Sequence, residues 1–402
     1  MINFGVLYRY ELKKLFQKKI LWVSLLICLL AIGVSVLVPL MGHYIVNGEI
    51  VDSNYNQYRI DQTHRKALSG RAIDQALLEE TVEAYRHVPL EQPRYSLTEE
   101  YETYARSHSE IFNLIRLWTQ QDAVSAAAWP PDETAFYNGM EDYMRRSWQA
   151  NNLTERETAY WQARADSIET PLVYQYHDGY MTILEVFLTV GVMMILFIAI
   201  SLSACFPDEH LRRTDQLIFC TAKGRTELYW VKLAAGLTAG LLGALTMTAL
   251  TWALTLRVYG AEGFGMAVQI FYTSYAGVIT IGQTCLIAYG CLLVTAVMIS
   301  MMVMFLSELL HSAIAALSVV TGLLLASALI QVPADYRLLG QLWDYFPTSF
   351  LAMWNVFDCR LIGIAGHCFT SYQIVPLIYL IGAALLAVLG QRIYVRYEIS
   401  GR

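Results

Sequence analysis

Between two long apolar runs, the stretch from Phe206 to Lys232 gathers Asp208, Glu209, Arg212, Arg213, Asp215, Lys223, Arg225, Glu227 and Lys232. Carboxylates and cations mixed at this density do ionic chemistry. They pair with one another or with a protein seated on them. Pro207 suits the first turn of a helix, where its missing N–H is not needed. Asp208 and Glu209 would then lie at the positive end of the helix dipole. Lys223-Gly224-Arg225 has the form of a helix stop, because glycine takes φ > 0 cheaply. The spacing therefore predicts a short helix outside the bilayer, joined at both ends to membrane spans. Its use is open at this point between a docking surface and a solvated linker held on one side by its charges.

The motifs of covalent chemistry are missing. The chain has no CxxC pair among its seven cysteines, no GxxxxGK[ST], no HExxH and no GxSxG. The expectation is a non-enzyme that binds no metal or cofactor of its own and has no nucleic-acid partner. Composition gives the class. The 402 residues are 56% hydrophobic and 15% charged, with a net charge of −6 and a mean hydropathy of +0.40. Soluble domains carry about 25% charged residues, so this is the composition of a membrane protein.

The elements that hold the charged stretch in place follow from hydrophobic period and length. Over residues 1–19, Phe4, Leu7, Tyr8, Leu12, Leu15 and Phe16 recur at helical steps, with Arg9, Lys13, Lys14 and Lys18 largely elsewhere. Such a helix lies in the headgroup plane with its bases on anionic lipid; a plain basic flank is the alternative. Residues 20–42 are the first transmembrane helix, an uncleaved anchor, since its apolar run is too long for a signal peptide and no Ala-x-Ala site follows it. From 43 to 178 the chain becomes polar and is predicted to be an all-α extracellular domain of about four helices. Its helix faces and caps include Ile73, Leu77, Val82 and Tyr85 on one face, the capping boxes Ser96/Glu99 and Thr154/Glu157, and a break at Trp129-Pro130-Pro131 before Asp132. Trp118, Trp148 and Trp161 are its expected core.

Residues 179–402 are predicted to hold transmembrane helices two to six, at about 180–205, 233–256, 281–305, 312–331 and 373–394, with a polar extracellular loop over 333–371. The third carries Gly236 and Gly240 at the spacing that lets helices approach closely. The fold class is thus an all-α polytopic membrane protein of six spans. Six of the seven lysines (Lys13, Lys14, Lys18, Lys19, Lys223 and Lys232) fall on one side under this scheme, which makes that side and both termini cytoplasmic. The 43–178 domain holds more acidic than basic residues, but large domains cross regardless of charge. Glu185, Glu308 and His311 sit near span ends, where an interfacial anchor is the favoured reading over a substrate path. Gln283 either lines a path or joins two helices. Cys359 and Cys368, in one outer loop, are either a disulfide or two free thiols.

The run Phe206-x-x-Glu209-His210, Thr214-Asp215-Gln216-Leu217-Ile218, Thr221-x-Lys223-Gly224-Arg225 and Lys232 resembles the cytoplasmic segment of type-2 ABC exporter permeases of the Gram-positive type. So do the basic N-terminal helix, the insert between the first two spans, Leu153-Thr154-Glu155-Arg156-Glu157 through Tyr160-Trp161, and Tyr176-x-x-Gly179-Tyr180. Where more familiar permeases have Gly-Thr before Glu-Leu-Leu, this chain has Arg213-Thr214 and Asp215-Gln216-Leu217. The resemblance implies that 206–232 is a coupling segment seated in a separate ATPase subunit, which holds the ATP and Mg. Glu209, Arg213, Thr214, Asp215 and Leu217 would then be coupling contacts. It also implies a return hinge at Gly224, with Arg225 and Lys232 on lipid phosphates, beside Lys13, Lys14 and Lys18 at the membrane interface. Residues 1–19 would be the connecting helix, and a second copy or a sister permease would complete the pathway. The cargo implied is amphipathic, a bacteriocin-like peptide or a lipid, moved across a bacterial plasma membrane. The other class of function is a sensing or immunity module whose outer domain binds an antimicrobial peptide or a partner protein.

Overall fold

The computed structural model describes residues 4–46, 49–92, 94–211, 220, 224, 226–333, 335–364 and 366–396. Runs of Leu, Ile, Val and Ala with few breakers give a mostly helical chain. It begins with α1 (Phe4–Phe16) and α2 (Lys19–Leu37), then a small antiparallel hairpin of β1 (His43–Val46) and β2 (Glu49–Ser53). The polar helices follow: α3 (Asn54–Ala67), α4 (Gln75–Arg86), α5 (Ser109–Thr119), α6 (Ala123–Ala128), α7 (Glu133–Ala150) and α8 (Glu155–Ala165). Apolar sequence returns with α9 (Asp178–Glu185) and α10 (Phe187–Leu202), and a single turn of helix, α11 (Pro207–Leu211), ends that run. Then come α12 (Glu227–Tyr259), α13 (Ile281–Leu310) and α14 (Ala313–Leu329). Two short helices, α15 (Arg337–Asp344) and α16 (Met353–Val356), precede a second hairpin of β3 (Ile362–Ile364) and β4 (His367–Phe369), and α17 (Ser371–Arg396) closes the chain.

Among the described residues, five stretches are long and apolar enough to cross a bilayer: Lys19–Leu40, Phe187–Glu209, Glu227–Tyr259, Ile281–Leu310 and Ser371–Arg396. The expected fifth span, 312–331, is α14, an apolar helix of 17 residues. At 1.5 Å per residue it is about 26 Å long, short of the roughly 30 Å hydrocarbon core that defines a full span. α10 and α13 are the most buried members of the bundle, with α2, α12 and α17 around them. Gly240 of α12 is fully packed, and a Cβ there would strike the Ser300 hydroxyl of α13. The close approach predicted from the Gly236/Gly240 spacing is therefore real, and it is made to α13.

The polar helices bury Leu77, Val82, Ile111, Phe112, Met144 and Trp148 against one another, and Tyr85 stacks on Phe112 with ring centroids 3.5 Å apart. Trp118, Trp148 and Trp161 are all core residues, as are Ile73, Leu77, Val82 and Tyr85. Asp132 caps α7 by accepting from Thr134 and Ala135, and Thr154 with Glu157 closes the capping box of α8. The Ser96/Glu99 box does not form. Ser96 lies inside a 3₁₀ turn, and the Thr98 hydroxyl accepts from Tyr101 N instead, because Thr98 directly precedes the helical residues. Six α-helices and a hairpin replace the expected four helices.

This domain is tied to the bundle at several points. Arg65 reaches Asp178 at 2.9 Å, Tyr176 donates to the Tyr259 carbonyl at 2.5 Å, and Tyr259 in turn donates to the Val36 carbonyl at 2.7 Å. Gly179 sits where a Cβ would run into the Gly260 carbonyl, so only glycine lets α9 approach the end of α12 this closely. On the other flank, Arg337 pairs with Glu157, Leu361 N donates to Glu157 at 2.7 Å, and the Trp161 indole donates to the Cys359 carbonyl at 2.6 Å.

Candidate functional site

The sequence builds the site from three pieces that are far apart in the chain. α1 lies along α12, with the Tyr8 hydroxyl 2.8 Å from that of Thr238. This brings Lys14, and Lys18 just past the helix end, over the start of the charged stretch. Pro207 opens α11 as predicted, and its first turn presents Asp208 and Glu209. Lys18 Nζ is 2.6 Å from Asp208, and Lys14 Nζ is 2.7 Å from Glu209 Oε1. From the first turns of α12, Lys232 Nζ reaches the same Glu209 oxygen at 2.5 Å. One carboxylate thus holds two ammonium groups from two different helices.

The two ammonium groups differ in setting. Lys232 is 0% exposed and Glu209 is 7% exposed, whereas the Lys14 side chain is 43% exposed. Burial disfavours the Lys14 ammonium, but the charge and hydrogen bond of Glu209, with help from Glu11, leave its pKa raised. Lys232 is boxed in further by the Cys205 carbonyl at 3.5 Å and by the Phe206 ring, 5.3 Å from its Nζ. Phe206, Tyr229 and Tyr394 pack ring against ring beneath it, at 5.4 to 5.8 Å between centroids. Tyr394 of α17 donates to the Gly224 carbonyl at 3.2 Å, and Tyr229 donates to the Ala387 carbonyl at 2.9 Å. The last span is therefore hydrogen-bonded to the later part of the charged stretch and touches its start through the Tyr394–Phe206 ring contact. Among the described residues, no group of three metal-ligating side chains comes together.

No family model, no curated protein and no solved structure matches this chain. Its geometry is accordingly the guide to what the site does. Several expected site residues take different places. Lys232 is not at lipid phosphates; it is sealed inside the bundle by Glu209. Glu209, expected as a coupling contact, is 7% exposed and paired with Lys14 and Lys232. Both placements have one cause, since a lysine buried near a span end needs a carboxylate and Glu209 is within reach. Lys14 and Lys18 serve as ion-pair partners within the chain, and Lys13 is exposed. Gly224 is buried under Tyr394. Arg213, Thr214, Asp215, Leu217 and Arg225 lie outside the described residues.

Other expectations change as well. Glu308 is fully buried in α13 and does not anchor at an interface. Gln283 closes the capping box of α13 with Thr280, accepting from Thr280 N at 3.0 Å, which gives it a structural role. Of the two states open to Cys359 and Cys368, the structure has both as free thiols. Cys368 lies in β4 opposite Gly363, while Cys359 precedes β3 with its carbonyl bound to Trp161. Tyr229 and Tyr394 were not singled out from sequence. The available signal was Tyr229-x-x-Lys232, a three-residue step that puts an aromatic ring beside a cation on one helix face.

Mechanically the arrangement is a clasp. Any displacement of α11 relative to α12 must stretch the Glu209–Lys232 pair around a buried ammonium, and it pulls on α1 through Lys14.

Proposed function

We propose that this chain is the membrane subunit of an ATP-driven exporter of the type-2 ABC class, working with a separate ATPase subunit. The single observation that carries the reading is Glu209 gripping Lys14 of α1 and Lys232 of α12 together. A force applied to the charged stretch thereby reaches an interfacial helix and a long span at once. In this proposal α14 is the fifth of six crossings, its short length met by local thinning of the bilayer. Both termini and the charged stretch face the cytoplasm of a bacterial cell, on the lysine bias. The helical domain and 333–371 face outward. Arg213, Thr214, Asp215 and Leu217 meet the ATPase, and Glu209 acts one step behind them by holding α11 to the bundle. A second copy or a sister permease completes the pathway, and the cargo is amphipathic.

The test is co-purification. The wild-type chain is expected to bring an ATPase out of its native membrane, and Arg213→Glu with Asp215→Lys is expected to lose it while the chain still folds. Unchanged co-purification and unchanged nucleotide hydrolysis in that double variant would overturn the proposal. A sensing or immunity role draws on a different observation, the contacts of Arg65 and Tyr176 that bind the outer domain to α9 and α12. Deleting 54–177 and finding transport intact but resistance to an antimicrobial peptide lost would favour that role.

A further inference from the structure

At the end of the bundle nearest the helical domain, α10 and α14 form one wall of a cavity of about 810 Å³. That volume lies within the roughly 300–1,000 Å³ of small-ligand sites. The wall is hydrocarbon, made by Leu188 and Val192 of α10 and Leu324 and Leu325 of α14. Leu188 and Leu325 are 44% and 57% exposed, so the same wall runs on to the surface that faces lipid. The opposite wall is polar. Its charged members are Asp344, Asp358 and Arg360. Arg360 Nη2 lies 2.6 Å from Asp344 and 2.7 Å from Asp358, and the Arg360 backbone N–H also donates to Asp358 at 2.9 Å. Two carboxylates share one guanidinium, which leaves one negative charge in excess.

Two further observations point to a ligand at this polar end. Ser349 lines the cavity, is 8% exposed, and its hydroxyl has no hydrogen-bond partner in the protein. A buried hydroxyl without a partner is costly, so a bound polar group that satisfies it is favoured. Trp343 and Trp354 also line the cavity, and indole is the side-chain ring that attracts cations best.

We propose that this cavity binds a lipid-like amphiphile with a cationic head, its alkyl chain along α10 and α14 and its head at Asp344 and Ser349. The amphiphile enters from the bilayer across Leu188 and Leu325. An anionic head of the same chain length binds more weakly, because it meets a carboxylate that Arg360 does not fully offset. The site goes beyond the transport reading and is measured on this chain alone, so failure to find an ATPase leaves it standing.

The test uses the full chain in lipid nanodiscs and a photoreactive dodecylammonium probe, with labelled peptides located by mass spectrometry. Labelling is expected to concentrate at 188–192 and 324–360. Unlabelled dodecylammonium is expected to displace the probe at roughly tenfold lower concentration than dodecyl sulfate, a difference of about 1.4 kcal/mol. Asp344→Asn should erase that preference, and Leu324→Trp, which fills the apolar end, should reduce labelling with no change in melting temperature. Labelling spread evenly over α2 and α17, equal displacement by both head groups, or undiminished labelling of Leu324→Trp would each overturn the proposal. Displacement by a water-soluble basic peptide but not by a lysine-headed phospholipid would overturn the route from the bilayer.

Discussion

Replacing Glu209 with glutamine removes the charge that Lys232 depends on while keeping the side chain's size. Lys232 is 0% exposed, so its ammonium would be left inside the bundle without its carboxylate. Breaking a buried ion pair from one side costs about 3–5 kcal/mol, most of it the stranded charge. The Lys14 pair contributes far less. With 43% of its side chain exposed, it is screened by water and counts for about 0–1 kcal/mol. The order of stabilities therefore follows from geometry: Glu209→Gln should be strongly destabilised, Lys14→Ala only slightly. The double variant Glu209→Leu with Lys232→Met should recover most of the loss, because both buried charges are gone. Heat-induced aggregation in detergent, followed by size-exclusion chromatography with fluorescence detection, ranks the four proteins directly. If Glu209→Gln melts like the parent, or if the double variant melts no higher than Glu209→Gln, the clasp does not hold Lys232 as described.

Three more outcomes are expected. Burial favours protonation of Glu157, but the Arg337 guanidinium and the Leu361 and Thr154 donors hold its pKa below the usual carboxylate range. Its contribution is therefore present above the unfolded-state pKa and is lost as pH falls through the folded value, so protease cleavage within 333–364 should rise once the medium drops below about pH 4. Glu157→Gln should show the same cleavage already at neutral pH. Maleimide should label both Cys359 and Cys368 without reductant, with Cys359 slow near neutrality because burial pushes its thiol up to about 12; a single bonded pair would leave neither reactive. Gly240→Leu should force α12 off Ser300 and cost on the order of 1–3 kcal/mol, read as a lowered melting point, with Gly33→Leu, which meets open space, as the control.

The long apolar helices and the polar domain were legible because their signals are local. Thr154 and Glu157 find each other within one turn, and Asp132 needs only the next three amides. The failures share the opposite property. Ser96 and Thr98 are both good caps, and only the path of the chain decided for Thr98. A lysine next to an apolar run signals an anchor at phosphates until a carboxylate 23 residues earlier in sequence is placed against it. Cys359 and Cys368 are near in sequence, but one is committed to a strand and the other to an indole on a different element. Where the outcome depends on a partner brought in by tertiary packing, spacing alone does not contain it.

α12 is one unbroken helix of 33 residues, about 50 Å long and well in excess of the bilayer's hydrocarbon. Near one tip sits Lys232 in its ionic grip; at the other Tyr259 joins the polar domain to the first long helix. Its middle, where Gly240 lies pressed on its neighbour, is the natural fulcrum. In the proposed exporter, a rigid beam pivoted there would work as a seesaw: a push at one tip would swing the opposite tip the other way, and the polar domain would feel it without any signal having to pass through the lipid.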